Sequence, residues 1–318
     1  MERSGSGFKV AVVGCGYVGA TFAFTALVKG TARRLALVDV NAKKARGDAA
    51  DLAHGMPFGH PVEIEAGDDY SLVEGADVVV LSAGVSQRPG ETRMDLLKRN
   101  GDVFREMVAK VTAHNRDCIF LVVTNPVDVL TYLTLKESGF PPARVIGSGT
   151  VLDTARFRSL LSEHCRVDAR NVHAYILGEH GDSELPVWSA ANIAGVPIAQ
   201  RCVECGRGCG DETREEIFAR VRRAAYEIIE AKGATYYAVA LGMERIVEAI
   251  ARDENSVLTV SSLVEDYHGV RDVCLSVPTV VNRSGVREQI LLPLAPEERD
   301  ALRKSAGVIR SAIDGLKL

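Results

Sequence analysis

The sequence has no uninterrupted apolar run near the roughly 18 residues that a membrane-spanning helix needs. It has no excess of basic charge either. The formal net charge of −4 and pI near 6.0 argue against a nucleic-acid or anionic-membrane surface. Met1–Gly7 is short and polar and lacks the apolar core of a signal peptide, so a cytoplasmic location is expected. There is no internal repeat and no low-complexity tract. Cysteines are few and odd in number: residues 15, 118, 165, 202, 205, 209 and 274. That count, without a signal peptide, favours reduced thiols over a disulfide framework. Cys202, Cys205 and Cys209 cluster, but a metal site needs a fourth ligand and the sequence offers no nearby histidine or cysteine. No metal is therefore expected, and the thiols read as structural or incidental. What remains is ordinary for a globular protein: 318 residues, 47% hydrophobic and 25% charged, enough for two domains.

The first half alternates short β-rich runs with helical stretches. Strands are expected at Phe8–Val13, Leu35–Asp39, Val62–Glu65, Val78–Leu81 and Cys118–Val123. Helices are expected at Tyr17–Lys29, Ala42–Gly55 and Met94–Asn115, the last with apolar residues at 94, 97, 103, 104, 107, 108 and 111. Such alternation implies right-handed crossovers and a parallel sheet, and the nearly continuous apolar strands fit a sheet covered on both faces. The second half begins near Gly147–Ser148–Gly149, without a flexible linker. It reads as a helix at Leu152–His164 and strands at Val172–Leu177 and Glu184–Val187. A mostly helical stretch follows over Glu212–Ile250, broken near Gly233, then β-rich runs at Val257–Val264 and Val273–Val280 and a final helix at Pro296–Leu316. Gly206–Gly210 reads as an exposed loop. The expected fold is α/β: a Rossmann-type doubly wound parallel sheet in residues 1–148, followed by an α+β substrate and catalytic domain in residues 149–318.

Gly14-Cys-Gly-Tyr-Val-Gly19 lies between the first strand and the first helix. Gly-x-Gly-x-x-Gly alone is a weak signal; its position strengthens it. Gly14 permits the tight turn, Gly16 lets backbone approach a pyrophosphate, and Gly19 lets helix pack on strand. The helix N-terminus offers unpaired N–H groups and partial positive charge to the phosphates. Asp39 closes the second strand about 20 residues past the last glycine, where a carboxylate can hold ribose hydroxyls and would repel a 2′-phosphate. NAD is therefore expected over NADP.

The catalytic signal is Gly178-Glu-His-Gly-Asp182, a histidine among carboxylates in a glycine-flanked loop. Imidazole titrates nearest working pH and can give and retake a proton within one turnover. Ser82–Arg93 follows the fourth strand and carries two arginines, a glutamine and Pro89–Gly90, the composition of a mobile polar lid. Val123-Thr-Asn-Pro-Val-Asp128 follows the fifth strand at the same sheet edge, where open α/β sheets form their ligand crevice. Asp153 and Arg156, three apart on a helix, share a face. Together these suit a small 2-oxo acid: one arginine fork for the carboxylate, a second cation for the ketone, and a histidine oriented by an aspartate. Sequence alone does not decide which arginine does which job.

Gly14–Gly19, Ala83–Arg93, Thr124–Asp128, Gly147–Arg158, Gly178–Glu184 and Ala234–Tyr237, in that order and over nearly the whole chain, closely resemble the lactate/malate dehydrogenase family, on the side of the bacterial NAD-dependent L-lactate dehydrogenases. The resemblance implies His180 as the acid/base, Asp153 as its partner, Arg156 on the substrate carboxylate and Arg93 as the lid residue that polarises the carbonyl. It implies Asn125, Asp128 and Thr235 beside the substrate. Val18, Lys44, Tyr70, Gly84, Val85, Val123, Thr124 and Asn125 then join Gly14, Gly16, Gly19 and Asp39 around NAD. Gln87 takes the place where malate dehydrogenases carry arginine for a second carboxylate; its neutrality favours pyruvate and lactate, since oxaloacetate's extra charge would be desolvated unpaired. Arg88 would reverse that preference if the loop sat one residue along. Arg158 and His173 match residues that bind fructose 1,6-bisphosphate across a subunit interface, and the family implies a homotetramer at the fermentative end of glycolysis. A malate dehydrogenase and a non-catalytic nucleotide sensor on the same fold are the competing readings.

Overall fold

The computed structural model describes residues 7–85, 93–204, 206 and 208–316. The side chains of Arg93 and Glu204 also fall outside the described set. The first half runs β1 (Lys9–Val13), α1 (Tyr17–Lys29), β2 (Arg34–Val38), α2 (Ala42–Gly55), β3 (Glu63–Gly67), β4 (Val78–Leu81), α3 (Arg93–His114), β5 (Ile119–Val122), α4 (Val127–Ser138) and β6 (Val145–Gly147). These strands lie parallel in the order β3-β2-β1-β4-β5-β6. Every residue of β1, β4 and β5 is buried, because helices cover both faces. α1 stops at Gly30, whose left-handed backbone (φ 67°) turns its N–H back onto the Ala26 and Leu27 carbonyls. α2 starts where Asn41 Oδ1 accepts the Lys44 N–H at 3.1 Å.

The second half continues with α5 (Val151–Cys165), β7 (Val172–His173), β8 (Ile176–Leu177), β9 (Leu185–Pro186), β10 (Asn192–Ile193), β11 (Val196–Pro197), α6 (Ile198–Glu204), α7 (Asp211–Lys232), α8 (Tyr237–Ala251), β12 (Ser256–Leu258), β13 (Ser261–Val264), β14 (Val273–Ser276), β15 (Thr279–Asn282), β16 (Gly285–Gln289) and α9 (Pro296–Gly315). The antiparallel hairpin β13–β14 extends the large sheet past β6 to eight strands. Cores on the two faces of this sheet draw on both halves, and a smaller one around Phe157, Leu161 and Ala191 lies within the second. Among the described residues, no helix is long and apolar enough to cross a membrane.

One expected strand and two expected β-rich runs are broken. Val172–Leu177 divides into β7, paired with β10, and β8, paired with β9. At the break, α5 side chains replace the ladder: Ala174 O accepts from Arg158 Nε (3.0 Å), Ile176 N–H donates to Thr154 Oγ1 (3.0 Å) and Ile176 O accepts from Thr150 Oγ1 (2.6 Å). Val257–Val264 breaks where Thr259 O accepts the Thr150 N–H instead. Val273–Val280 breaks at Pro278, which has no N–H to give a ladder. The polar α5 N-terminus is thus the hub that bends both halves of the site into place.

Candidate functional site

Where strand order reverses between β1 and β4, the carboxyl ends of the sheet leave a crevice. Gly14 there has φ +100°, and a Cβ on it would meet the Ala83 backbone nitrogen at 2.4 Å. A Cβ on Gly19 would lie 2.0 Å from Gly14 O, so only glycine lets α1 pack this close. A Cβ on Gly16 would meet nothing within 4 Å: this glycine faces open space at the N-terminus of α1, and no side chain caps that helix. Asp39, half-buried, is wired to the same loop; Oδ2 accepts the Cys15 N–H (2.7 Å) and Oδ1 the Asn41 N–H (2.9 Å). An uncapped helix N-terminus, an open glycine and a strand-end carboxylate with lone pairs to spare fit the pyrophosphate and ribose of NAD.

The other expected cofactor contacts surround this crevice unevenly. Thr124 Oγ1 donates to Ala83 O (2.7 Å), and a Cβ on Gly84 would press on Thr124 at 2.6 Å, so the loops after β4 and β5 are locked together. The Val85 N–H donates to Asn100 Oδ1 (2.9 Å). Lys44 is exposed and pairs with Asp48 (2.6 Å) on its own helix. Tyr70 is half-buried beneath Lys110, whose ammonium sits 5.3 Å from the ring centroid. Val18, Val123, Asn125, Arg156, His180 and Thr235 all line one cavity of about 190 Å³, although they come from five separate segments. Gln87 and Arg88 lie outside the described residues, as does the side chain of Arg93, whose backbone opens α3.

Asp153, in the first turn of α5, is buried and bridges two cations. Its Oδ1 accepts from Arg156 Nη1 and its Oδ2 from His180 Nδ1, each at 2.6 Å. A carboxylate can only accept, so Nδ1 carries the proton of that bond and Nε2 is left to exchange one with a ligand. The His180 side chain keeps 27% of its surface exposed on the cavity. Burial would strip its proton, but the charge and hydrogen bond of Asp153, with Asp128 and Glu184 behind, push its pKa up to about 9. Burial likewise works against Asp153, yet His180 and Arg156 hold that carboxyl below its usual range.

The loop around His180 is pinned at both ends. Gly178 (φ +89°) exchanges backbone hydrogen bonds with Ser276 at 3.0 Å, and its missing Cβ makes room for Ser305 Oγ. Asp128, expected beside the substrate, is only 2% exposed, and its Oδ2 accepts the backbone N–H of His180 at 2.8 Å. It stands behind the histidine loop, and burial lifts its pKa to about 6. Glu184 joins this cluster without being expected in it. It is buried, and a carboxylate oxygen lies within 4.8 Å of ligating atoms of both His180 and Asp153. Burial, then the Asp153 charge, lift its pKa to about 8. Its signal was present as an acid four residues past the histidine, but burial cannot be read from spacing. Arg158, on α5, bonds to Ala174 O and its guanidinium sits 5.3 Å from the Tyr175 ring, while His173, on β7, is exposed.

A dinucleotide fold joined to a histidine–carboxylate–arginine cluster defines a nicotinamide-linked oxidoreductase acting on a carboxylate-bearing substrate. The family is specific. Residues 8–147 match the NAD binding domain of lactate/malate dehydrogenase, residues 150–317 match its alpha/beta C-terminal domain, and the chain belongs to the lactate/malate dehydrogenase family. It is an NAD-dependent 2-hydroxy acid dehydrogenase. It is 57% identical over 310 residues to an L-lactate dehydrogenase of Thermoanaerobacter sp. (strain X514), covering 98% of this chain and 99% of that one. The L-lactate dehydrogenase of Acetivibrio thermocellus is 56% identical over 98% of both chains. Among solved structures, a lactate dehydrogenase from a Medee basin deep-sea metagenome library superposes with a TM-score of 0.96 at 43% identity, over 99% of this chain and 100% of the other. The minor L-lactate dehydrogenase of Enterococcus mundtii gives 0.95, also at 43%, over 98% and 99%.

Proposed function

We propose that this chain interconverts pyruvate and (S)-lactate, with residues 1–148 binding NAD and residues 149–318 carrying the acid/base and substrate groups. The observation that carries the mechanism is Asp153 bonded at once to His180 and Arg156. The dinucleotide, when bound, would supply the hydride as NADH in reduction and accept it as NAD+ in oxidation. His180 Nε2–H gives its proton to the ketone oxygen; Asp153 orients the ring and stabilises its charged form. Arg156 pairs with the substrate carboxylate, which fixes the ketone against the imidazole. Arg93 polarises the carbonyl from the lid, Asn125 and Thr235 flank the substrate, and Gln87 meets the substrate's third carbon. Asp128 acts through His180, by holding its backbone.

Pyruvate is favoured over oxaloacetate because Gln87 offers no charge for a second carboxylate, and because the relatives from Thermoanaerobacter and Acetivibrio are named for lactate. Comparing kcat/KM for the two acids tests this: pyruvate should be the better substrate, and a preference for oxaloacetate would overturn it. We further propose activation by fructose 1,6-bisphosphate through Arg158 and His173; the bond from Arg158 to the carbonyl of Ala174, next to His173, supports a joint anion site. The effector should lower KM for pyruvate in the wild type and not in Arg158→Gln; an unchanged KM in both removes the proposal. A cytoplasmic homotetramer is the assembly proposed. Phe24, Val28 and Phe58, which are 56%, 52% and 94% exposed and line one groove, supply apolar surface for subunit contact.

A further inference from the structure

The cysteine cluster that looked incomplete in sequence is completed in space. α5 ends at His164 and Cys165, and Cys202, Gly208 and Cys209 lie against that end. Ligating atoms of His164, Cys202 and Cys209 all lie within 4.8 Å of one another. Cys202, fully buried, makes thiol hydrogen bonds with both Cys209 and the buried Cys165. Three thiols and one imidazole therefore converge from two distant parts of the chain. Local sequence offers the cluster no fourth ligand; tertiary structure brings two candidates, 38 and 37 residues upstream of Cys202.

We propose that His164, Cys165, Cys202 and Cys209 form a structural site for a soft divalent cation, zinc foremost. Three physical arguments support it. Zinc takes tetrahedral Cys₃His sets in structural sites. With Zn–S bonds of about 2.3 Å, ligand atoms in a tetrahedron sit about 3.8 Å apart, so the His164, Cys202 and Cys209 atoms, already within 4.8 Å of one another, need to close by no more than about 1 Å, with Cys165 beside Cys202 as the fourth ligand. Second, His164 Nε2 lies 3.1 Å from the carbonyl oxygen of Gly208. A carbonyl only accepts, so Nε2 carries the proton and Nδ1 carries the lone pair. A metal-binding histidine generally has this arrangement, its far nitrogen donating to a carbonyl that fixes the ring. Here the carbonyl belongs to the residue before a ligand, Cys209. Third, the approach to Cys209 is rich in glycine, with left-handed backbone at Gly206 (φ 71°) and Gly208 (φ 63°). Such a loop can wrap closely around an ion but gains little stability from its own side chains.

Binding is a ligand exchange without redox change. Each coordinating thiol loses its proton to solvent, each thiolate forms a metal–sulfur bond, and the metal gives up water. The consequence is mechanical. α5 carries Asp153 and Arg156 near its start and His164 and Cys165 at its end, while Ala225 and Ile229 of α7 line the catalytic cavity. An ion here would clamp the loop before α7 onto α5, about three helical turns from the chemistry.

Cobalt(II) is the direct probe. The full-length, reduced, chelator-treated protein should take up about one Co²⁺ per chain. It should show a thiolate-to-cobalt charge-transfer band and strong visible bands of tetrahedral cobalt, and one equivalent of Zn²⁺ should bleach them. Zn²⁺ should also raise Tm. Cys209 and His164 are only half-buried, so Cys209→Ser and His164→Ala keep the fold and decide the matter. Affinity should fall at least tenfold in each, with the Tm rise lost. Cys274→Ser, in the main core, should bind like wild type. Absence of cobalt bands in the reduced wild type overturns the proposal. So does equal affinity in Cys209→Ser, or a Cys202–Cys209 disulfide that stays metal-free once reduced.

Discussion

At the scale of single residues, the chemistry turns on how strongly His180 keeps its proton. An isolated imidazole titrates near 6.5, and here Asp153 and its carboxylate neighbours overcome burial to push the value to about 9. The folded state therefore binds the proton more tightly than the unfolded chain. Its contribution to stability is complete below about pH 6.5 and is lost as pH rises through about 9. Pyruvate reduction needs the protonated ring, so kcat/KM for pyruvate should stay level up to about pH 9 and then fall about tenfold per unit. Lactate oxidation needs the neutral ring and should rise over the same interval. Glu184 adds a second test. Its carboxyl, raised to about 8, becomes a negative neighbour of His180 in the range where His180 titrates. Glu184→Gln should move the fall in the pyruvate profile to lower pH while leaving kcat/KM at pH 6 nearly unchanged; an unmoved profile would separate Glu184 from the acid/base system. His180 was legible from five residues of sequence. Glu184 was not, because its effect comes from burial beside an ion pair whose other members lie elsewhere in the chain.

At the scale of elements, the glycine loop before α1 separates two demands that one motif conflates. Gly19 is where helix meets strand, and a methyl group there would lie 2.0 Å from Gly14 O. Gly19→Ala should lower Tm, with a destabilisation on the order of 1–3 kcal/mol. Gly16 faces open space, with φ −69° that alanine adopts freely. Gly16→Ala should leave Tm within a degree or so of wild type yet weaken NADH binding about tenfold or more, measured by nicotinamide fluorescence. Equal NADH affinity in Gly16→Ala would move the pyrophosphate elsewhere. Helices α1 and α2 matched their expected ends because glycine and periodic apolar residues mark them locally. Strands fared worse in the second half. Apolar runs at 172–177, 257–264 and 273–280 are each broken where α5 threonines and an arginine, or a proline, take over from the ladder. Such partners lie too far along the chain for pattern to reveal them.

At the scale of the whole molecule, the large sheet joins the two halves, since β13 and β14 come from the second half yet extend the sheet of the first. Fold class was readable because strand–helix alternation constrains topology strongly. The convergence of His164 and Cys165 on Cys202 and Cys209 was invisible for the opposite reason: nothing local links a helix end to a loop 37 residues on. Exposed apolar residues on α1 and beside it, such as Phe24 and Phe58, match the proposed assembly. Sedimentation equilibrium should give four times the 34.2 kDa chain mass, and a monomer would refute the tetramer.

The most direct measurement is pyruvate-dependent NADH oxidation by His180→Ala, made beside NADH binding to the same protein. Turnover should fall about 10²–10⁴-fold while the Kd for NADH stays within about twofold of wild type. Near-normal turnover in that variant would contradict the assignment of the proton to His180.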